Sequence, residues 1–182
     1  MDTWPDTERT LIMTTQLTRF TQWARDHPQR KYNSLMGMLF DPEGLNESFE
    51  RQAANKAPGV DGVRKAEYGG DGLAERLGDL SARVRRLGYR PKPVRRVFIP
   101  KPNGGRRALG VPSFEDRIVQ DRASLILQAV WEPEFRECSY GFRPGRGCKD
   151  ALREVDGLLK AGYTHVVDAD LKGYFDSIPH GP

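Results

Sequence analysis

The sequence predicts an α+β fold, and three observations carry that prediction. Apolar residues recur at helical spacing in several segments, most plainly Leu73, Leu77, Leu80, Val84 and Leu87. The segment 93–112, PVRRVFIPKPNGGRRALGVP, sets two β-prone runs around a Pro-Asn-Gly-Gly turn. A last run, THVVDADL at 164–171, is largely β-branched and apolar but carries two aspartates. The 182 residues suffice for one ordinary domain, or for a domain with an appendage.

Residues 1–30 are polar and weakly patterned, and predict a loose leader with a short helix around Gln16–Arg25. Leu45, Phe49 and Ala53 fall four apart and predict a helix to about Asn55, broken by KAPGVDGV at 56–63. The helix over Leu73–Leu87 stops at Gly88. Val97 and Ile99 then alternate with Arg96 and Phe98, and RALGV returns as the second strand of a hairpin. Ser113 with Asp116 three residues on reads as a capping box opening a helix from Phe114 to about Trp131, ended by Pro133. An aromatic, glycine-rich, basic loop SYGFRPGRGC (139–148) leads to a helix bearing Ala151, Leu152, Val155, Leu158 and Leu159, with Gly162 at its end. The expected last strand is 164–171.

Charged residues make up 30% and apolar ones 37%, a soluble, globular balance. No apolar run approaches the ~20 residues of a membrane span, so no membrane partner is expected. The N-terminus lacks a signal layout, and the expected location is cytoplasmic. Cys138 and Cys148 stand ten residues apart, and His27, His165 and His180 are scattered, none at metal-ligand spacing. They read as incidental.

The net charge is only +4, but nine basic residues and no acidic one lie between Arg85 and Arg107. Arginines there alternate with prolines, glycines and β-branched residues, which suits a shaped surface for a polyanion, a nucleic acid or a triphosphate. Lys101 and Arg107 frame the turn on opposing strands, where two cations repel unless an anion lies between them. A turn with two glycines is more often only a turn. Tyr140 and Phe142 with Arg143 and Arg146 suit either base stacking and backbone gripping or a ring pair plugging a core. KAPGVDGV reads as a structural turn in which Gly59 and Gly62 make bends other residues resist.

In the terminal run, alternation puts Val167, Ala169 and Leu171 on one face and Val166, Asp168 and Asp170 on the other. Carboxylates on an apolar strand need partners. Loop amides are one possibility; a hard, oxygen-seeking Mg²⁺ carrying phosphate is another.

Taken in order, NKAPGVDGV, YRPKPVRRVFIPKPNGGRRALGVPSFEDRIVQ, EPEFRECSYGFRPGRGCKDAL and VVDADLKGYFDSI strongly resemble the reverse transcriptases encoded by bacterial group II introns. The resemblance spans roughly residues 30–180. It implies the fingers (31–163) and first palm strand (164–182) of a right-hand polymerase after a leader (1–30), with an incomplete antiparallel palm sheet. It implies Asp170 as the first catalytic ligand to Mg²⁺ with the Leu171 carbonyl beside it, and Asp168 in a supporting place. It implies Phe175 as the residue that excludes a 2′-hydroxyl, Lys101 and Arg107 as triphosphate contacts, and Arg95, Arg96, Arg143 and Arg146 as nucleic-acid contacts. Expected partners are an intron RNA template, a DNA primer and deoxynucleoside triphosphates. The family's second catalytic motif is an aromatic-Ala-Asp-Asp hairpin, and no Ala-Asp-Asp occurs in the 182 residues. An N-terminal portion of the polymerase, inactive on its own, is therefore expected. The alternative is a non-catalytic RNA-binding module of the splicing-assisting kind.

Overall fold

The computed structural model describes residues 15–27, 29, 31–32, 35–102, 104–171 and 173–179. Eight α-helices and a two-stranded antiparallel sheet appear among them, so the coarse α+β expectation holds. The chain divides into two compact units, Leu11–Phe135 and, in its described residues, Arg136–179.

The larger unit is built around one helix, α6 (Phe114–Trp131). Its N-terminal turn is capped by Ser113, whose Oγ accepts the Asp116 amide at 3.3 Å. Phe114 and Ile118 enter a cluster with Leu45 and Phe49 of α3 (Pro42–Glu50) and Tyr68 of α4 (Lys65–Tyr68). Leu77, Leu80 and Val84 of α5 (Leu73–Arg85) complete that cluster. The other end of α6 packs Leu125, Ile126 and Ala129 against Leu17 of α1 (Thr15–Asp26) and half-buried Met38 of α2 (Met36–Leu39). Burying such side chains contributes about 1.5–3 kcal/mol each.

Between the two clusters lies Arg122, 1% exposed. Its Nε donates to the Met38 carbonyl at 2.9 Å and its Nη1 to Glu47 at 3.3 Å. Gly44 of α3 sits over the guanidinium so closely that a Cβ there would stand 2.2 Å from Cζ. Arg122 thus takes the place of an apolar side chain on the buried stripe and ties three helices together.

Helix α3 ends at Glu50, earlier than the expected Asn55, because Gln52 turns back: its amide bonds the Phe49 carbonyl (3.0 Å) and its side chain the Ser48 carbonyl (3.1 Å). Helix α5 closes with Leu87, not Gly88, in the left-handed region (φ 57°), while the Gly88 amide reaches back to Arg83 at 2.9 Å. The hairpin forms as expected: β1 (Arg95–Pro100) pairs β2 (Arg106–Val111), with Ile99 opposite Arg107 and Arg95 opposite Val111.

The smaller unit contains the 139–147 loop, α7 (Cys148–Lys160) and the short α8 (Tyr174–Ser177). The Asp150 carboxylate caps α7 by accepting the Gly147 amide at 2.9 Å. The apolar stripe of α7 is exposed, Leu152 at 63% and Leu159 at 56%. One expectation is corrected here. Residues 164–171 form no strand, and Val166 and Val167 are 84% and 94% exposed, so the two-faced alternation is not realised. A strand exists only when its amides and carbonyls find a neighbouring strand, and none pairs with this run among the described residues.

Candidate nucleotide and nucleic-acid site

The base of the hairpin is fastened to the 56–63 loop by side chains far apart in sequence. Arg95 donates to the Pro58 carbonyl from Nε (3.0 Å) and Nη2 (2.8 Å). Arg117 of α6 donates to the Ala57 carbonyl and to Pro112, at 3.2 and 3.1 Å. The Lys92 ammonium bonds Asp61 at 3.1 Å, while the Lys92 amide bonds the buried Asp116 carboxylate at 3.1 Å. Asp116 also accepts the Ser113 hydroxyl (2.6 Å) and the Tyr89 hydroxyl. Burial, then the Asp116 carboxylate beside it, pushes the Tyr89 phenol well above its ordinary range. The glycines divide their labour: Gly62 bends the chain at φ 73°, whereas Gly59 is buried against α6's entrance. A Cβ on Gly59 would lie 2.6 Å from the Ser113 Cα. KAPGVDGV is therefore an anchored brace under the hairpin.

At the other end the hairpin closes through the Lys101 amide on the Gly105 carbonyl (2.7 Å) and the Gly104 amide on the Lys101 carbonyl (3.1 Å), with Gly104 at φ 81°. The first of these bonds extends the ladder, so Lys101 keeps the face of Ile99 and hence of Arg107. The structure thus brings these two predicted cations to one face at the tip. Both are exposed, and neither side chain has a hydrogen-bond or ion-pair partner among the described residues. Arg96 is exposed and likewise without a partner, on the opposite face. Arg95 alone of the predicted hairpin cations is engaged, as the brace.

In the smaller unit Arg143 donates to the carbonyls of Arg136 (2.8 Å) and Ser139 (2.9 Å). Arg146 bonds the Glu137 carbonyl and carboxylate and lies over the Tyr140 ring, 5.9 Å from its centroid. The Arg146 hydrogen bond holds the Glu137 carboxyl below its usual range. Phe142 is fully exposed at φ 57°, which removes it from any core-plug role, while Tyr140 is half-buried. Asp168, Asp170 and Leu171 lie exposed in the irregular run, the two carboxylates without partners among the described residues. Phe175 falls within α8, and its side chain lies outside what the structure describes.

The donor chemistry at Asp170, an exposed carboxylate beside the Leu171 carbonyl, suits a hard divalent ion, which takes oxygen ligands. Two protein oxygens do not fill six positions, and no cluster of three or more ligating side chains occurs among the described residues. The sequence did not reveal Lys92, Asp116 and Arg117 as the groups that position the hairpin, nor Arg122 as the tie between α2, α3 and α6. For Arg122 there was a signal, an arginine four residues after Ile118 on the buried stripe.

Residues 99–182 match the family described as reverse transcriptase (RNA-dependent DNA polymerase). Protein YkfC of Escherichia coli is 36% identical over 177 residues, 93% of this chain and 46% of that protein. The group II intron-encoded protein LtrA of Lactococcus lactis is 30% identical over 166 residues, 90% of this chain and 27% of LtrA. A 91 kDa protein in the cob intron of Schizosaccharomyces pombe is 46% identical over 88 residues, 48% of this chain and 11% of that protein. Residues 99–182 carry the reverse transcriptase domain, and the relatives set the chain among the group II intron-encoded reverse transcriptases and maturases. It spans about half the length of YkfC and about a quarter of LtrA. No helix among the described residues is long and apolar enough to cross a membrane.

Proposed function

We propose that these residues form the fingers (31–163) and the opening of the palm (164–182) of a right-hand RNA-directed DNA polymerase. Its substrates would be an intron RNA template, a DNA primer and deoxynucleoside triphosphates. The observation that carries this is the pair Lys101 and Arg107, two partnerless cations on one face of the hairpin tip. Lysine offers a point charge and arginine a bidentate fork to the triphosphate oxygens, which favours the anion-clamp reading over a bare turn.

Asp170 and the Leu171 carbonyl would hold Mg²⁺, an ion that supplies charge stabilisation on the transferring phosphoryl group when bound. The primer 3′-hydroxyl would give up its proton and attack the α-phosphate, breaking the bond to the β-phosphate so that pyrophosphate leaves, while Lys101 and Arg107 would hold the β- and γ-phosphates. Phe175 would exclude the 2′-hydroxyl, and Arg143 and Arg146 would face the template. Asp170 and the Leu171 carbonyl leave most of the metal's positions open, and no group of three ligating side chains occurs among the described residues, so chain elongation by these 182 residues alone is not expected.

Titrating the 182-residue chain with Mg²⁺·dTTP tests this. Binding should weaken about tenfold or more in Lys101→Ala and Arg107→Ala, and thymidine should not bind. Equal dTTP affinity in the double variant would refute the clamp. In an assembly carrying the second motif, Asp170→Asn should abolish synthesis while sparing RNA binding, and Phe175→Ala should admit ribonucleotides. The acid-free basic stretch also supports the second reading, an RNA-binding module that assists splicing.

A further inference from the structure

We infer that the other face of the hairpin is a separate contact for single-stranded RNA, centred on Phe98 and flanked by Arg96 and Arg106. Directly paired residues share a face, and successive residues alternate. The register therefore puts Arg96, Phe98 and Pro100 beside Gly110, Ala108 and Arg106, opposite the side that carries Lys101 and Arg107.

Three features make this face a platform for a base between phosphates. Phe98 is 56% exposed, a large apolar ring that the fold leaves in water. The residues across from Phe98 and Arg96 are Ala108 and Gly110, too small to cover the ring. Arg96 and Arg106 are exposed and have no hydrogen-bond or ion-pair partner among the described residues, and no acidic residue occurs from Leu80 to Phe114. Each arginine stands about 7 Å from Phe98, along the strand for Arg96 and diagonally for Arg106. A ring between two unneutralised guanidinium groups complements a polyanion with flat bases better than an apolar protein surface. A duplex hides its base faces, so the strand is single. That it is RNA rests on the polymerase reading above.

One strand cannot lie on both faces of a two-stranded ribbon at one point. The triphosphate clamp and the Phe98 platform thus act on different ligands at once, and their variants separate. The test is fluorescence anisotropy of a labelled 20-nucleotide uridine RNA on the 182-residue chain across a salt series, with the deoxythymidine strand in parallel. Phe98→Ala should weaken RNA binding about 5- to 100-fold with the salt slope unchanged, and Phe98→Leu should not restore it. Arg96→Ala with Arg106→Ala should flatten the slope of log K against log salt by about 1.4, two single-strand phosphates. All three should leave Mg²⁺·dTTP binding as in wild type. Four results would each overturn the inference. They are wild-type RNA affinity in the Phe98 variants, no RNA binding by the wild-type chain, tighter binding of the deoxythymidine strand, or a change of oligomeric state as the main effect of Phe98→Ala. Loss of dTTP binding in the Lys101 and Arg107 variants would still stand in those cases, so the two proposals fail separately.

Discussion

Arg95 grips the Pro58 carbonyl with two nitrogens, at 3.0 and 2.8 Å, across 37 residues of sequence. An arginine opening a basic hairpin is thereby turned inward, and the hairpin's base acquires a fixed direction relative to the 56–63 loop. Arg95→Ala removes both bonds and leaves a half-buried carbonyl unpaired. We expect a loss of about 1 kcal/mol, modest because Arg95 itself is exposed. Faster amide exchange should be confined to 56–63 and 95–111. Arg95→Lys, which cannot span one oxygen with two donors, should restore little of the protection. Unchanged exchange in Arg95→Ala would show that the hairpin is held by other means.

Arg122 is the most demanding position in the larger unit. It is 1% exposed, and Glu47 depends on its guanidinium at 3.3 Å. Arg122→Ala opens a cavity, frees the Met38 carbonyl and strands a carboxylate, and should cost about 3 kcal/mol in urea unfolding. Arg122→Met with Glu47→Gln should recover much of that, since an apolar filler needs no counter-charge. If the double variant is no more stable than Arg122→Ala, neither the cavity nor the carboxylate accounts for the loss, and the hydrogen bond to the Met38 carbonyl governs the site.

What the sequence made legible was local chemistry. The Pro-Asn-Gly-Gly turn and the alternation around it define the hairpin, and the stripes of α5 and α6 announce themselves at every third or fourth residue. Lys101 and Arg107 could be placed together because a hairpin register follows from its turn. The missing strand at 164–171 shows the opposite case: β-propensity describes a residue's fitness for a sheet, while the sheet itself requires a partner. The ties of Arg95 to Pro58 and Arg117 to Ala57 were illegible for a related reason. They join segments whose proximity is created only when α6 packs. Leu87 took the left-handed place expected of Gly88 because the closing amide bond to Arg83 fixed the position one residue earlier.

The two glycines of the 56–63 loop should respond differently to alanine. At Gly62 nothing lies within 4 Å of a new Cβ, so the cost is the positive φ alone, about 1–2 kcal/mol. At Gly59 the Cβ meets Ser113 backbone at 2.6 Å and Pro112 oxygen at 2.7 Å, neither of which can rotate away. Gly59→Ala should therefore cost more than Gly62→Ala. It should also disturb the amides around 112–116, a shift readable by NMR. Local perturbation only, with α6's first turn intact, would contradict the close approach.

Alkaline pH should weaken the fold through the phenols of buried Tyr68 and half-buried Tyr89. Burial first, and then Asp116, raises the Tyr89 phenol; burial first, and then Glu115, raises that of Tyr68, whose hydroxyl donates to Glu115 at 3.2 Å. For a group whose folded value lies above its unfolded one, the folded state keeps a proton that the unfolded state has released. The contribution of these phenols is whole below about pH 10, the ordinary tyrosine value, and declines as pH rises beyond it. Each raised tyrosine should steepen that decline by up to about 1.4 kcal/mol per pH unit. The difference between wild type and Tyr89→Phe isolates one of them, because lysines titrating in the same range affect both proteins alike. Urea unfolding between pH 9 and 11 should show Tyr89→Phe losing stability less steeply than wild type above pH 10. Parallel curves would mean that the Tyr89 phenol ionises in the folded chain as readily as in the unfolded one.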